Sequence, residues 1–304
     1  MKAVVQVLGP TGAGKSRAAL AVARAVDGEV ISADSVQVYR GFDIGSDKLP
    51  PGERGGIPHH LIDVIGDCAQ FNASRFLELA YAAAAGIWAR GRVPVVCGGT
   101  GLYLRVMMQG IFPESRRAGL REELRRRGEE LGWEALHAEL RSIDPAYAAK
   151  VSVRDRVRLV RALEIHLDSG LSPSAAFQAS RSPFAGCRFV RVGLHRERSA
   201  LYRAIDARVD RMLAAGLVDE VRGLSRRHPP DCPPFRALGY KEVLAMLRGE
   251  ADLAATRERI QRHSRQFAKR QLTWFRKETD IHWLPADDLA AIVAFVRQCL
   301  PSEP

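Results

Sequence analysis

GPTGAGKS, from Gly9 to Ser16, is the stretch from which the rest of the chain is read. Its spacing, Gly-x-x-x-x-Gly-Lys-Ser, puts glycines where a tight turn needs them and follows them with a cation and a hydroxyl. Before it, AVVQVLG (Ala3–Gly9) is a short apolar run of strand type; after it, KSRAALAVARAV carries apolar residues at helical spacing. A strand that enters a Gly-rich turn and leaves as a helix aims the backbone N–H groups of Gly9, Thr11, Gly12, Ala13 and Gly14 into one anion hole. Pro10 shares the loop but lacks an N–H. Lys15 supplies a point charge, and the Ser16 hydroxyl can hold Mg2+.

The same alternation continues outward. EVISADS reads as a second strand with Asp34 and Ser35 at its carboxyl end, HHLIDVI as another short one, and RVPVVCGG as a buried strand. Ser74 is placed to cap the helix running to Arg90, with Gly91 ending it. FVRVGLHR and IHWLP read as later strands of the same sheet. Strands alternating with helices predict an α/β fold, a P-loop-containing parallel sheet with helices on both faces. Ligands in such sheets gather at the carboxyl ends of the strands, where Gly9–Ser16, Asp34–Gln37 and Gly98–Thr100 all fall. A motor-type NTPase needs an apolar strand ending in a metal-ordering Asp, but RVPVVCGGT ends in glycines and Asp63 in HLIDV is a poor substitute. With no N-K-x-D guanine reader either, the loop fits group transfer better than mechanical hydrolysis.

From about Ile111 the texture turns to long charged helical patterns, RAGLREELRRRGEELG and RDRVRLVRALEIHLDSG. The expected organisation is a first core segment at 1–112, a helical insertion at 113–187, and a return to the core at 188–304, where a helix of about Asp252 to Lys277 dominates. The 304 residues carry a net charge of +11, unevenly placed: 11 Lys and Arg against 9 Asp and Glu in residues 1–110, and 35 against 26 in the remainder. A basic second part suggests a polyanionic partner, although charge for solubility alone is the plain alternative. The five cysteines form no C-x-x-C pair, so neither a zinc knuckle nor a disulfide framework is suggested, and a reduced cytoplasmic setting is expected. No apolar run of spanning length exists, so no membrane partner is expected. No cleavable signal peptide is read, because cleavage would remove the loop.

Asp34 lies one strand over from the phosphate loop, where a carboxylate can take a proton from a nucleophile; a capping Asp after a strand is the alternative. Gln37 and Tyr39 suit a planar base. In GGTGLY, Thr100 offers a hydroxyl at a helix start, or else simply a cap and a turn. Arg154, Arg158 and Arg161 share one helical face, as do Arg262, Arg265, Lys269 and Arg276. With Arg116, Arg117 and Arg121 they read as phosphate contacts for RNA, against a solvated face partly paired with Asp155, Glu164 or Glu258. His59 and His60 read as local structure.

The order GPTGAGKS, ISADSVQVYRGFDIGSDK, PHHLID, VVCGGTGLYLR, RLVRALEI, FRALGYKE, RQFAKRQLTWFR resembles the tRNA dimethylallyltransferase family, in its bacterial form, from about Val4 to Trp283. The resemblance implies dimethylallyl diphosphate in the loop and, as acceptor, the exocyclic N6 amine of the adenosine just 3′ of the anticodon in tRNA. Catalysis would fall to Asp34 as general base, Thr100, Lys15 and Arg208, with Mg2+ at Ser16. Gly9, Pro10, Thr11, Gly12, Ala13, Gly14, Lys15 and Ser16 would hold the diphosphate. RNA contacts would come from Asp34, Ser35, Val36, Gln37, Thr100 and Arg121, from Val157, Arg158, Leu159, Val160 and Arg161, and from Arg236, Ala237, Leu238, Gly239, Tyr240 and Lys241. The insertion would grip the anticodon arm, and a monomer is expected. Departures are Ser46 in Ile44-Gly45-Ser46, and Asn72 and Ala73 where the family has Ser, to which no role is given. No zinc finger follows Trp283. Three alternatives stay open: a small-molecule kinase with Asp34 as base, a prenyltransferase acting on free AMP, and an RNA-binding protein with a vestigial loop.

Overall fold

The computed structural model describes residues 2–66, 68–115 and 117–300. Arg116, one of the basic residues singled out above, lies outside them. The chain divides into two compact units, Met1–Arg105 with Gly186–Pro304, and Val106–Ala185. The first boundary between the units falls within the helix Gly101–Gln109.

The first unit is built on a parallel sheet of six strands among the described residues: β1 (Ala3–Leu8), β2 (Gly28–Ser32), β3 (His59–His60), β4 (Val93–Gly98), β5 (Arg188–His195) and β6 (His282–Pro285). Their order across the sheet is β3-β2-β4-β1-β5-β6. Val-rich strands buried on both faces are what parallel sheets require. HHLIDVI forms only a two-residue strand, because Leu61 and Asp63 adopt positive φ (61° and 58°) and turn the chain out of the sheet.

Helices cover both faces of this sheet. Its helices are α1 (Lys15–Ala25), α2 (Ala73–Ala89), α3 (Gly101–Gln109, entering the second unit) and, after the helices of that unit, α9 (Arg198–Ala214), α10 (Leu217–Ser225), α11 (Tyr240–Leu247), α12 (Leu253–Phe275) and α13 (Leu289–Cys299). Val5, Val7, Val190 and Val192 meet Ala19 and Val22 of α1 and Ile292 and Val296 of α13 in one core. On the opposite face the Gln6 amide donates to the Leu104 carbonyl of α3 (3.3 Å), and the Trp88 indole of α2 donates to the Ala3 carbonyl (3.0 Å). Asn72, not Ser74, caps α2, its side chain accepting from the Arg75 N–H at 2.9 Å. Asp252 caps α12 in the same way at 2.7 Å.

The second unit is helical: α4 (Leu120–Glu130), α5 (Trp133–Ile143), α6 (Pro145–Ala148), α7 (Arg156–Ser169) and α8 (Pro173–Ala179). Leu120, Leu124, Leu136, Leu140, Leu159 and Leu163 form its core. Asp144 caps α6 through the Tyr147 N–H (2.9 Å) and also accepts from the Ser174 N–H of α8 (2.7 Å).

No helix among the described residues is long and apolar enough to cross a membrane. The expectation of unpaired cysteines is corrected: Cys68 and Cys232 are joined as a disulfide across 164 residues of sequence, a pairing no local spacing announces.

Candidate active site

Strand order creates the site. The chain leaves β1 toward β2 on one side and leaves β4 toward β5 on the other, so a crevice opens beyond the carboxyl ends of β1 and β4. The loop Gly9–Ser16 turns there. Gly12 is at φ +79°, and a Cβ on it would lie 2.7 Å from Ile205 of α9. Backbone conformation and packing thus both demand glycine. Gly14, left-handed at φ 87°, starts α1 with no side-chain cap, which leaves the first amides of the helix for an anion.

Lys15 is half-buried and its Nζ donates to the Pro10 carbonyl at 2.8 Å. Burial holds its pKa below the ordinary lysine range; Arg208 adds to this, while Cys97, Asp34 and Asp47 oppose it. The Cys97 thiol, at the end of β4, is pushed up to about 11 chiefly by burial. Arg208 on α9 donates to the Thr11 hydroxyl, and its Nε lies 3.1 Å from the Asp47 carboxylate. The arginine to which the resemblance gives a catalytic role therefore touches the loop itself. Ser16 is exposed in the first turn of α1.

Asp34 follows β2 directly. A Cβ on Gly98 would lie 2.2 Å from the Ala33 carbonyl, and the Ala33 N–H donates to the Cys97 carbonyl at 2.8 Å. This close approach sets Asp34 beside Gly98–Thr100. Asp34 Oδ1 accepts from the Val36 and Gln37 N–H groups (2.8 and 3.2 Å) in a local turn, and Oδ2 has no partner among the described residues. Thr100 sits at the head of α3, its carbonyl accepting from Tyr103 and Leu104. The Tyr103 ring stacks on Phe76 at 4.2 Å, and burial, with Asp34 second, raises its hydroxyl pKa. The Gln37 amide is engaged within its own loop, accepting from the Ser32 hydroxyl (2.9 Å) and donating to the Ser46 carbonyl (3.2 Å). Tyr39 is a core residue, its hydroxyl bonded to the Ala69 carbonyl at 2.8 Å, and is not available to face a base. Asp63 pairs with Lys48 at 2.6 Å. His60 pairs with the buried Glu29 of β2 at 2.7 Å, a contact 31 positions away rather than a local one.

Two residues that the sequence reading left without a role organise the cleft. Gln271 of α12 accepts from the Thr11 N–H at 2.8 Å and donates to the Gly99 carbonyl at 2.9 Å, so one amide ties both loops together. It lies in RQFAKRQLTWFR, the one signal that could have marked it. Glu220 of α10 accepts from the N–H groups of Asp43, Ile44 and Gly45 (3.1, 2.7 and 3.1 Å) and from the Tyr240 hydroxyl (2.8 Å). That docks Ile44-Gly45-Ser46 against the start of α11. In the segment proposed for RNA, Arg236 and Lys241 are exposed, Ala237 and Leu238 are half-buried, Gly239 is buried and bonds Glu242 at 2.8 Å, and Tyr240 is fully buried. Tyr240 is thus a core side chain. Arg262 and Lys269 on α12 and Arg276 just past its end are exposed, whereas Arg265 pairs with Asp206.

Within the second unit, Arg158 is exposed and loosely paired with Asp155 (3.4 Å), and Val157 is 74% exposed. Leu159 and Val160 are buried in the helical core, so their side chains are unavailable to a partner. Arg161 donates to the Phe112 and Pro113 carbonyls at 2.8 Å each, and Arg121 makes a bidentate pair with the buried Glu164 (3.1 and 3.0 Å).

Residues 37–278 match the IPP transferase family, and residues 2–55 match isopentenyl transferase. The chain is 45% identical to a tRNA dimethylallyltransferase of Symbiobacterium thermophilum over 92% of its length and 88% of the relative's. It is also 45% identical to tRNA dimethylallyltransferase 1 of Trichlorobacter lovleyi, over 95% and 96%. Among solved structures, a full-length tRNA isopentenylpyrophosphate transferase from Bacillus halodurans is similar at 36% identity, TM-score 0.72, over 98% of this chain and 96% of that one. A eukaryotic dimethylallyltransferase acting on tRNA is similar at 29% identity, TM-score 0.84, over 98% and 77%. By sequence and fold, this chain belongs to the IPP transferase family.

Proposed function

We propose that the chain transfers a dimethylallyl group from dimethylallyl diphosphate to the exocyclic N6 amine of the adenosine just 3′ of the anticodon in tRNA. The observation that carries this is the unpartnered Oδ2 of Asp34, held by its own turn beside an anion cradle. A kinase would use the same cradle, but the curated relatives matching nearly the whole chain are tRNA dimethylallyltransferases.

The acceptor amine is a weak nucleophile, its lone pair delocalised into the ring, so positioning and leaving-group stabilisation must carry the rate. In the transfer, the bond from the donor's first carbon to diphosphate oxygen breaks, a bond from that carbon to N6 forms, and the N6 proton passes to Asp34. Lys15, the Arg208 guanidinium, the Thr11 hydroxyl and the remaining loop amides receive the charge that develops on the diphosphate; contrary to the expectation from sequence, the Thr11 and Ala13 N–H groups are taken by Gln271 (2.8 Å) and the Pro10 carbonyl (3.2 Å). Thr100, at the head of α3, orients the amine. The exposed hydroxyl of Ser16 in an uncapped helix start suits a hard cation held jointly with a diphosphate. Mg2+ held there by Ser16 would supply charge neutralisation. The adenosine leaves its stack to reach Asp34, at a cost of about a few kcal/mol.

Arg117, Arg154, Val157 and Arg158 on the second unit, and Arg236, Lys241, Arg262, Lys269 and Arg276 on the first, are exposed groups fit to meet tRNA. The test is mass analysis of nucleosides from unmodified tRNA incubated with the protein and dimethylallyl diphosphate. An adenosine heavier by one dimethylallyl group supports the reading. Unmodified tRNA, with AMP prenylated or phosphate transferred from ATP instead, rejects it.

A further inference from the structure

Away from the cleft, three soft ligand atoms converge: the sulfurs of Cys68 and Cys232 and a ring nitrogen of His228, all within 4.8 Å of one another. Cys232 is buried at 1% exposure in a cluster with Phe42, Phe235 and Tyr240, and Cys68 packs against that cluster. The His228 ring lies 5.9 Å from that of Phe42. Neither ring nitrogen of His228 has a hydrogen-bond partner among the described residues. A disulfide needs no third group, yet an unpartnered imidazole stands against this one. Two thiols and an imidazole are the donor set that selects zinc-class cations over Mg2+ or Ca2+. All three residues lie on irregular segments: Cys68 in the bend that follows β3, His228 and Cys232 in the turn after α10. Their Cα positions, 4.9 Å apart for the cysteine pair, allow the sulfurs to separate by side-chain rotation.

We propose that this is one site with two states: a disulfide when oxidised, and a Cys68–His228–Cys232 site for a single zinc-class cation when reduced. An external dithiol converts the first state to the second. Its two thiols deliver two electrons and two protons, giving two protein thiols and an oxidised dithiol, and the incoming cation then displaces the two thiol protons. Water fills the remaining tetrahedral position. Either state fastens the loop after β3 to the turn preceding Arg236.

The full-length protein, reduced with a phosphine that is then removed without air, is titrated with Zn2+ against a chromophoric indicator and separately with Co2+. One equivalent of Zn2+ per chain and a sulfur-to-Co2+ charge-transfer band are expected, with neither in diamide-oxidised protein. His228→Ala, which can still close the disulfide, lowers Zn2+ affinity by about 10-fold or more. Cys68→Ser, at a half-buried position, removes the charge-transfer intensity of one thiolate; circular dichroism checks that both variants fold. Reduced protein that takes up no stoichiometric Zn2+, or uptake unchanged in either variant, overturns the proposal.

Discussion

The ring of Tyr240 lies so close to Gly45 that a Cβ at Gly45 would sit 2.5 Å from the ring carbons. Nothing in the backbone at Gly45 demands glycine, since its φ is not positive; the neighbour does. Gly45→Ala is expected to destabilise the protein by about 1–3 kcal/mol, as overpacking does. Tyr240→Phe leaves Glu220 with one donor fewer in a buried site and costs about 1–2 kcal/mol. Urea unfolding of the two variants checks both values, and a wild-type midpoint for Gly45→Ala would show that the ring yields.

Gln271 predicts a kinetic phenotype. Gln271→Leu removes the tie between the Thr11 amide and the Gly99 carbonyl without touching a charged group. Misplacing two loops by a fraction of an ångström is expected to lower kcat by up to about 100-fold. The tRNA affinity is expected to hold. Single-turnover rates and a binding isotherm separate the two, and a loss confined to tRNA binding would contradict the positioning role.

Glu29 predicts a pH dependence of stability. The bonds from Arg90 are the main cause that holds its carboxyl at about 2, with His60 and Arg92 adding to it and burial opposing. A folded-state pKa below the ordinary 4.5 contributes stability that is fully present above 4.5 and is lost as pH falls toward 2. Glu29→Gln is expected to be less stable at neutral pH and to show a flatter acid limb, read by urea midpoints from neutral pH down to about pH 3.

Arg158 and Arg161 share a helical face but have different surroundings. Arg161→Ala releases two carbonyls and is expected to destabilise the second unit by about 1–3 kcal/mol. Arg158→Ala is expected to leave stability alone, weaken tRNA binding and lower the salt slope by about one. Equal melting temperatures for the two variants would contradict this division.

Much of this arrangement was legible in the sequence, because it is local. Val and Ile runs bounded by glycines mark β1, β2 and β4, and the loop from Gly9 to Ser16 carries its own backbone demands. Asp34 was placed because it follows a strand beside that loop. What escaped is non-local or degenerate. Glu220 looks like any charged residue on a helix, and its four donors lie up to 177 positions away or on another helix. Cys68 and Cys232 are brought together only by the fold. Asn72 and Ser74 are both competent caps, and only the extended backbone of Asn72 (φ −122°, ψ 177°) chooses between them. Helical spacing puts Arg161, and the basic cluster and the resemblance put Arg121, among the RNA contacts, but neither shows that Glu164 and two carbonyls already occupy them.

The central claim is that Asp34 takes the amine proton beside the phosphate cradle. Asp34→Asn keeps an oxygen for the Val36 and Gln37 N–H groups and so preserves the turn, but loses the base. Single-turnover transfer of the dimethylallyl group to unmodified tRNA is expected to fall by about 100-fold or more, with the melting temperature and tRNA affinity of the parent. Transfer at the parent rate in a folded, tRNA-binding Asp34→Asn protein would contradict the account.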